Sequence, residues 1–289
     1  MSYILDVKDL RKEYKGFSLG PLSFQLEPGY IMGLIGPNGS GKSTTIKAIL
    51  GLIRPNGGSI RIFGKDQAKE MQAIKQQIGY VYDQNHFYDE FTIGEMKKVI
   101  AGFYEDWDNS LFSQYIDRFN LPVRKKIKEF SKGMKMKFSL AVALSHHARL
   151  IIMDESTSGL DPIFRSELLD LLLEIIQDEE KAIFFSSHIT SDLERVADYI
   201  TFIHNGNLIF SESKDDLLDT YRIVKGGPDL LEPLQEEGLL TGVINNQFGF
   251  EALTADVAAV NDRFKGQVIM EKPSLEQIMV HMARGEQYA

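Results

Sequence analysis

Residues 36–43 read Gly-Pro-Asn-Gly-Ser-Gly-Lys-Ser, and this stretch decides the fold. An apolar run, residues 31–35, precedes it, and a segment with helical spacing, about residues 42–50, follows it. The pattern G-x-x-x-x-G-K-S between a strand and a helix is typical of a loop that binds phosphate groups. The alternative is a glycine-rich turn with a solvated lysine, and the flanking strand and helix disfavour it. The sequence therefore predicts a β-loop-α unit within an α/β fold.

The loop also predicts the groups that bind phosphate. Its glycines let successive backbone N–H groups point into one concavity at the start of the helix, where phosphate oxygens bind. Lys42 adds a positive charge at the β- and γ-phosphates, and the Ser43 hydroxyl supplies one Mg²⁺ ligand. The candidate phosphate-binding residues are Gly36, Asn38, Gly39, Ser40, Gly41, Lys42, Ser43 and Thr44.

Length and composition limit the classes of protein that fit. The 289 residues suffice for one large α/β domain and a small appendage. A net charge of −9 argues against broad nucleic-acid binding, because no global positive field gathers phosphates. The longest apolar runs are far shorter than the ~20 residues that span a bilayer. The first nine residues do not resemble a secretory signal, and the absence of cysteine fits a reducing cytoplasm.

Hydrophobic patterning divides the chain into regions. Residues 1–30 predict an antiparallel β-rich segment, and residues 86–149 predict a helical insertion. Residues 199–210 predict a hairpin around Asn-Gly. We place a domain boundary between residues 220 and 221, because residues 221–289 show the order β-α-β-β-α-β. That order is typical of a small α+β domain of the ferredoxin-like type.

Two acids follow a second apolar run, residues 150–153. Asp154 at the strand tip can hold Mg²⁺, and Glu155 can polarise the water that attacks the γ-phosphate. Alternatively, both acids simply begin a loop, or Asp154 caps a helix. The presence of Lys42 in the same chain favours the chemical interpretation.

Further motifs resemble those of the ABC transporter ATPases. They are an aromatic at Tyr14, a glutamine at Gln84, the signature-like Phe-Ser-Lys-Gly-Met at 130–134, the D-loop-like Ser-Thr-Ser-Gly-Leu-Asp-Pro at 156–162, and His188. Together with the phosphate loop they keep the family's order over roughly residues 1–220. The resemblance implies a P-loop NTPase fold of the ABC ATPase type. Such a fold has a RecA-like core, an antiparallel β subdomain and a helical subdomain, here at about residues 86–149.

The resemblance also implies an activity, which is ATP hydrolysis with Mg²⁺. In the family, the signature segment of one subunit covers ATP bound to the other, so Ser131 and Gly133 are expected to contact the opposite ATP. By the same carry-over, Asp161 links the two sites and Tyr14 stacks on adenine. The roles implied for the catalytic side chains are Mg²⁺ and water contact for Gln84 and γ-phosphate contact for His188.

The implied partners are a separate integral membrane permease and a second ATPase subunit, either an identical copy or a relative. The chain would then lie in the cytoplasm, at the inner face of the cell membrane. The signature form and the segment 271–276, Glu-Lys-Pro-Ser-Leu-Glu, resemble ATPase subunits of bacterial drug and antimicrobial-peptide exporters, the bacitracin-exporter-like branch. A soluble ABC ATPase acting on ribosomes or DNA, and a plain P-loop kinase, are the competing classes.

Two departures from the family pattern lie in the signature and the D-loop. Lys132 and Met134 replace a glycine and a glutamine, and Ser156 stands where proline is commoner. Because Ser131, Gly133 and Glu155 are kept, we expect a working site. Lys132 either lies near the phosphates of the opposite site or faces solvent.

Several single residues allow two interpretations. Tyr14 either stacks on adenine or packs under the loop, and His188 is either catalytic or a structural cap. The cluster His86, Phe87, Tyr88 and Phe91 either receives the permease or belongs to the core of the helical segment. The adjacent pair His146-His147 does not predict a metal site, because neighbouring side chains on a helix diverge by about 100°.

Overall fold

The structure, a computed structural model, describes residues 3–82 and 87–285, and it divides after Leu208 into two units. The strands of the first unit are β1 (Leu5–Tyr14), β2 (Phe17–Leu26), β3 (Ile31–Ile35), β4 (Gly57–Ile62), β5 (Lys65–Asp66), β6 (Ile78–Tyr82), β7 (Leu150–Asp154), β8 (Ala182–Ser187) and β9 (Tyr199–His204), with β10 (Asn207–Ser213) crossing the division. Its helices are α1 (Lys42–Ile49), α2 (Gln67–Lys75), α3 (Ile93–Ala101), α4 (Asn109–Arg118), α5 (Lys132–Ser145), α6 (Pro162–Ile175) and α7 (Thr190–Val196).

A six-stranded sheet forms the centre of the first unit, in the order β10-β9-β3-β8-β7-β6. Strands β3, β6, β7, β8 and β9 pair in parallel. Every residue of β3, β7 and β8 is buried, as expected for strands covered on both faces. The carboxyl ends of parallel strands meet at one edge of the sheet, so the loops after β3, β7 and β8 converge there.

An antiparallel sheet, in the order β2-β1-β4-β5, is the second layer of this unit. Its inward residues share one hydrophobic core with α1 and the central sheet, including Leu5, Leu22, Ile46 and Phe184. The two sheets and the helix thereby fix the position of the loop that joins β3 to α1. The predicted α/β fold with an antiparallel subdomain is confirmed.

Helices α3, α4 and α5 lie in the segment between β6 and β7. Thr92 and Glu95 form a reciprocal capping box at the start of α3, and Asp108 caps α4. Ser131 caps α5, and its hydroxyl accepts a hydrogen bond from the Met134 N–H. The sequence thus specifies each helix start locally.

The second unit carries α8 (Lys214–Thr220), β11 (Arg222–Gly226), α9 (Leu231–Glu236), β12 (Thr241–Asn246), β13 (Gly249–Thr254), α10 (Val257–Phe264), β14 (Ile269–Glu271) and α11 (Leu275–Gly285). Its sheet is antiparallel, in the order β12-β13-β11-β14. This order and the β-α-β-β-α-β connection are those of the ferredoxin-like arrangement.

The second unit has its own hydrophobic core, which includes Val224, Leu234, Phe250 and Val260. A cleft of about 840 Å³ opens beside β12 and α11 and is lined by both polar and apolar side chains. Within residues 3–82 and 87–285, every helix is too short or too polar to span a membrane.

Candidate nucleotide site

The loop between β3 and α1 forms one wall of a cleft of about 450 Å³. Gly41 has φ +116°, and a Cβ there would lie 2.3 Å from Leu19 Cδ1, so a larger residue would displace the loop. Gly39 faces open space, which leaves room for a ligand at the loop backbone. The described lining residues are Phe17, Asn38, Gly39, Gly41, Lys42, Ser43, Thr44, Glu155, Ser158 and His188.

Lys42 lies at the base of this cleft and is only 5% exposed. Its ammonium donates to the carbonyl oxygens of Gly36 at 2.8 Å and Pro37 at 3.2 Å. It also forms an ion pair with Glu155 Oε1 at 3.2 Å. A buried lysine with these partners offers a fixed positive charge to an anion in the cleft.

Asp154, at the end of β7, is the most buried acid of the site, with 1% of its surface exposed. Its Oδ1 accepts from Ser186 Oγ at 2.7 Å and from Ser43 Oγ at 3.4 Å. Burial raises the pKa of Asp154 above its ordinary value, although these two hydrogen bonds oppose the shift. Neighbouring Glu155 adds to the increase in pKa.

Glu155 has a left-handed backbone conformation, with φ +51°. Its N–H donates to the carbonyl of Ser186 at 3.1 Å and to the hydroxyl of the same residue at 3.0 Å. A non-glycine residue in this region is strained, and such strain is common at functional sites. Ser186 therefore holds both acids: its hydroxyl donates to the Asp154 side chain, and its carbonyl and hydroxyl both accept from the Glu155 N–H.

The side chain of Glu155 lies between two groups, since its second carboxylate oxygen bonds His188 Nδ1. A carboxylate only accepts hydrogen bonds, so Nδ1 of His188 carries the proton. The loops after three different parallel strands thus bring Lys42, Glu155 and His188 into one hydrogen-bonded row.

The other predicted site residues lie elsewhere in the same chain or outside its described part. Gln84 and His86 belong to residues 83–86, outside the described ranges. Ser131 is exposed at the start of α5, and Asp161 caps α6 by accepting from Phe164 N–H at 3.0 Å. Gly133 packs on the Phe164 ring, where a Cβ would lie 2.9 Å from Cδ1.

The aromatic residues singled out in the sequence lie in different surroundings. Tyr14 pairs with Phe17 across the turn between β1 and β2, and it is 46% exposed. Phe17, rather than Tyr14, is the aromatic among the described residues that line the cleft. Of the predicted aromatic cluster, Phe87 packs on core residue Phe138, whereas Tyr88 is 63% exposed.

Sequence reasoning missed three contributors to the site. Ser186 pairs in register with Asp154, and a polar residue at the end of an apolar strand was the available signal. Phe17 lies too close to the β1–β2 turn to stand out by pattern. The contact between Lys132 Nζ and the Ser158 carbonyl, at 2.5 Å, joins two segments that no local motif connects.

The donor set fits Mg²⁺. Ser43 Oγ and Asp154 Oδ1 lie 3.4 Å apart beside the phosphate loop, and hydroxyl and carboxylate oxygens are the ligands that Mg²⁺ prefers. Two acids, Asp154 and Glu155, share this part of the cleft with Lys42, which forms an ion pair with Glu155. A bound divalent cation would offset the excess negative charge.

A central parallel sheet, a glycine-rich loop at a helix start and two acids at the adjacent strand ends define a P-loop nucleoside triphosphatase. Comparison with known proteins narrows this class. A family model described as ABC transporter matches residues 19–158.

Relatives and solved structures agree with the family model. The chain is 35% identical over 212 residues to the bacitracin transport ATP-binding protein of Bacillus licheniformis, covering 72% of this chain and 69% of that protein. It is 32% identical to the lantibiotic transport ATP-binding protein of Streptococcus pyogenes, covering 73% and 92%. A solved ATP-binding subunit of an ABC transporter superposes with a TM-score of 0.68 at 32% identity, covering 75% and 92%.

The chain belongs to the ABC transporter ATP-binding family. Its activity is therefore that of an ATPase subunit, as the sequence motifs predict.

Proposed function

We propose that this chain is the ATP-hydrolysing motor of an exporter of drugs or antimicrobial peptides. It powers a separate membrane permease by closing over ATP against a second ATPase subunit, and it lies at the inner face of the cell membrane through that permease. The names of the bacitracin and lantibiotic relatives support the exporter assignment. The observation that carries the catalytic part is the row formed by Lys42, Glu155 and His188 at the phosphate loop.

Each group of the row has a proposed task. The loop N–H groups and Lys42 bind the phosphates, and Glu155 orients water and accepts its proton. His188, with Nδ1–H held by Glu155, presents the far edge of its ring to the γ-phosphate. Thr44 and Ser40 complete the loop, and we retain Gln84 as a ligand of the metal and the water.

We propose Ser43 and Asp154 as the Mg²⁺ ligands of the chain. Mg²⁺ held by these two residues would supply positive charge to offset the negative charge that develops on the phosphate groups. Ser186 keeps the Asp154 carboxylate oriented toward Ser43 by its 2.7 Å hydrogen bond.

We also propose a division of labour along the chain. Residues 1–220 form the ATPase domain, with the helical subdomain at about 86–149, and residues 221–289 form an accessory domain. Ser131, Gly133 and Asp161 act on the second subunit's nucleotide, and Tyr14 contacts the base. Ser131, Gly133 and Asp161 lie outside the described lining of the chain's own cleft, which supports a role for them in another subunit's site.

The solution mass of Glu155→Gln with and without Mg-ATP tests the proposal. Removing the carboxylate blocks hydrolysis, so ATP should trap a closed dimer and double the mass. The double variant Lys42→Ala/Glu155→Gln is the matched control, and it should stay monomeric because its phosphate site is lost.

A Glu155→Gln chain that binds ATP and stays monomeric would contradict closure of two identical copies and favour a different ATPase partner. The exporter assignment has its own test. If the chain expressed with its permease gives no protection against a panel of antibacterial drugs and antimicrobial peptides that includes bacitracin and lantibiotics, that assignment is wrong.

A further inference from the structure

Lys132 bridges the signature segment and the loop after Glu155. It is the first residue of α5, and its ammonium donates to the carbonyl of Ser158 at 2.5 Å. It also lies 3.5 Å from the point where a Cβ on Gly159 would stand. This contact differs from the solvent-facing lysine that the sequence allowed, because Lys132 is half-buried against a protein carbonyl. A place near the phosphates of the opposite site stays a prediction.

The loop that receives Lys132 forms part of the catalytic cleft. Ser158 lines the cleft three residues after Glu155, and its N–H donates to the Glu155 carbonyl at 3.2 Å. A displacement of Ser158 therefore reaches Glu155 through one turn of backbone.

Hydrogen bonds from side chains within the loop after Glu155 contribute little to its conformation. The hydroxyls of Ser156 and Thr157 are buried without a hydrogen-bond partner among the described residues. Glu155 and Gly159 both have left-handed backbone angles, φ +51° and +69°. Since a strained turn persists only when its surroundings hold it, an external contact at Ser158 matters more here than in a regular element.

The other end of the bridge is rigid. Gly133 packs directly on the Phe164 ring, and Lys137 Nζ lies 4.7 Å from the centre of that ring. Ser131 caps the helix start. The first turn of α5 is therefore a fixed platform from which the Lys132 ammonium reaches the loop.

We propose that Lys132 is a positioning residue, which holds the Ser158 wall of the cleft and thereby the carboxylate of Glu155 in the geometry needed for hydrolysis. A charged donor to a carbonyl is stronger than a neutral hydrogen bond. The inference rests on the proposed ATPase role of Glu155. It also makes the signature helix of a subunit a support for that subunit's own cleft.

Hydrogen exchange of the full-length, nucleotide-free chain tests the contact without relying on activity. Lys132→Met removes the ammonium and keeps most of the side-chain length. Amides in residues 156–161 should then exchange roughly tenfold faster, because loss of this hydrogen bond raises the equilibrium constant for local opening of the loop by about that factor. Lys135→Met, on the same helix and paired with Asp89, is the matched control and should leave these amides unchanged.

Steady-state ATP hydrolysis tests the consequence. Lys132→Met should lower kcat by about tenfold or more, since small misplacement of a catalytic group has effects of this size, and change KM by less than about threefold. Lys132→Arg, which keeps a charged donor, should retain most of the wild-type kcat. If Lys132 only stabilised the fold, the Met and Arg variants would have the same kcat whenever their melting temperatures are equal.

Unchanged exchange together with unchanged kcat in Lys132→Met would overturn the proposal. A variant with weaker nucleotide binding and normal loop exchange would also overturn it, because the ammonium would then act at phosphates. Failure of the proposed function is distinguishable, since in that case the wild-type chain itself would not hydrolyse ATP while the exchange result would stand.

Discussion

The charged carboxylate of Asp154 lowers the stability of the nucleotide-free fold, because it is buried. It is 1% exposed, and burial raises its pKa although two hydroxyls donate to it. This character is expected of the metal ligand proposed above, because a bound cation would offset the buried charge.

We therefore expect Asp154→Asn to raise the melting temperature of the nucleotide-free chain at pH 7 by a few degrees. The amide oxygen still accepts from Ser186 and Ser43, and no charge is buried. Thermal unfolding monitored by circular dichroism measures the difference. Asp117→Asn, an exposed change of equal charge on α4, should leave the melting temperature unchanged.

The pH dependence of this difference has a defined sign. The folded-state pKa of Asp154 lies above the ordinary aspartate value of 3.8, so the stability cost is fully present above the raised pKa. As the pH falls, the folded protein takes up the proton first, and the cost disappears below 3.8. A melting temperature that Asp154→Asn lowers at pH 7 would contradict this account of burial.

The sequence predicted part of this site for a clear reason. Lys42, Glu155 and His188 each follow an apolar run, and parallel strands deliver their carboxyl ends to one edge. The bridge from Lys132 to Ser158 depends instead on how α5 packs against a distant loop, which no local pattern encodes.

At the scale of elements, a buried histidine caps the carboxyl end of α5. His146 is 2% exposed, stacks on Tyr104 with ring centres 3.8 Å apart, and contacts the Gln76 carbonyl through Nδ1 at 3.2 Å. Burial lowers the pKa of His146 to about 4. The folded protein therefore keeps this ring neutral at pH values where an unfolded histidine is charged.

We expect stability to fall as the pH drops from above 6.5 to about 4, because only the unfolded chain then takes up this proton. The loss attributable to His146 is about 3 kcal/mol. Urea unfolding at several pH values should show that His146→Phe, which can still stack on Tyr104, lacks this slope. His147→Asn, at the exposed neighbour, should keep it, and an unchanged slope in His146→Phe would refute the assignment.

The second unit shows how much of a fold the order of strands and helices predicts. Its β-α-β-β-α-β succession follows from alternating short apolar runs and helical spacing between residues 222 and 271. The sheet order, which places β11 between β13 and β14, comes from pairing across long sequence separation. The sequences of the short strands do not determine which strands pair. The fold was therefore predictable only from the complete β-α-β-β-α-β order.

At the scale of the molecule, the nucleotide machinery is confined to one part of the chain. The described residues that line the nucleotide cleft fall between Phe17 and His188, and the second unit has a separate core. We expect a chain truncated after Thr220 to hydrolyse ATP within about threefold of the full-length rate.

Phosphate release and thermal unfolding of the truncated chain, compared with the full-length chain, measure this expectation. A folded truncated chain that has lost turnover would mean that residues 221–289 take part in catalysis or its regulation. The cleft of about 840 Å³ in that unit would then be the place to look for a regulatory ligand.

The packing of Gly133 against Phe164 also decides which sequences this helix start can accept. Any side chain at position 133 must displace the ring. Position 132 opens instead toward the Ser158 carbonyl, where a long cationic side chain fits without repacking. Two neighbouring positions on one helical turn therefore differ in their tolerance to substitution, because one faces an aromatic ring and the other faces a backbone acceptor.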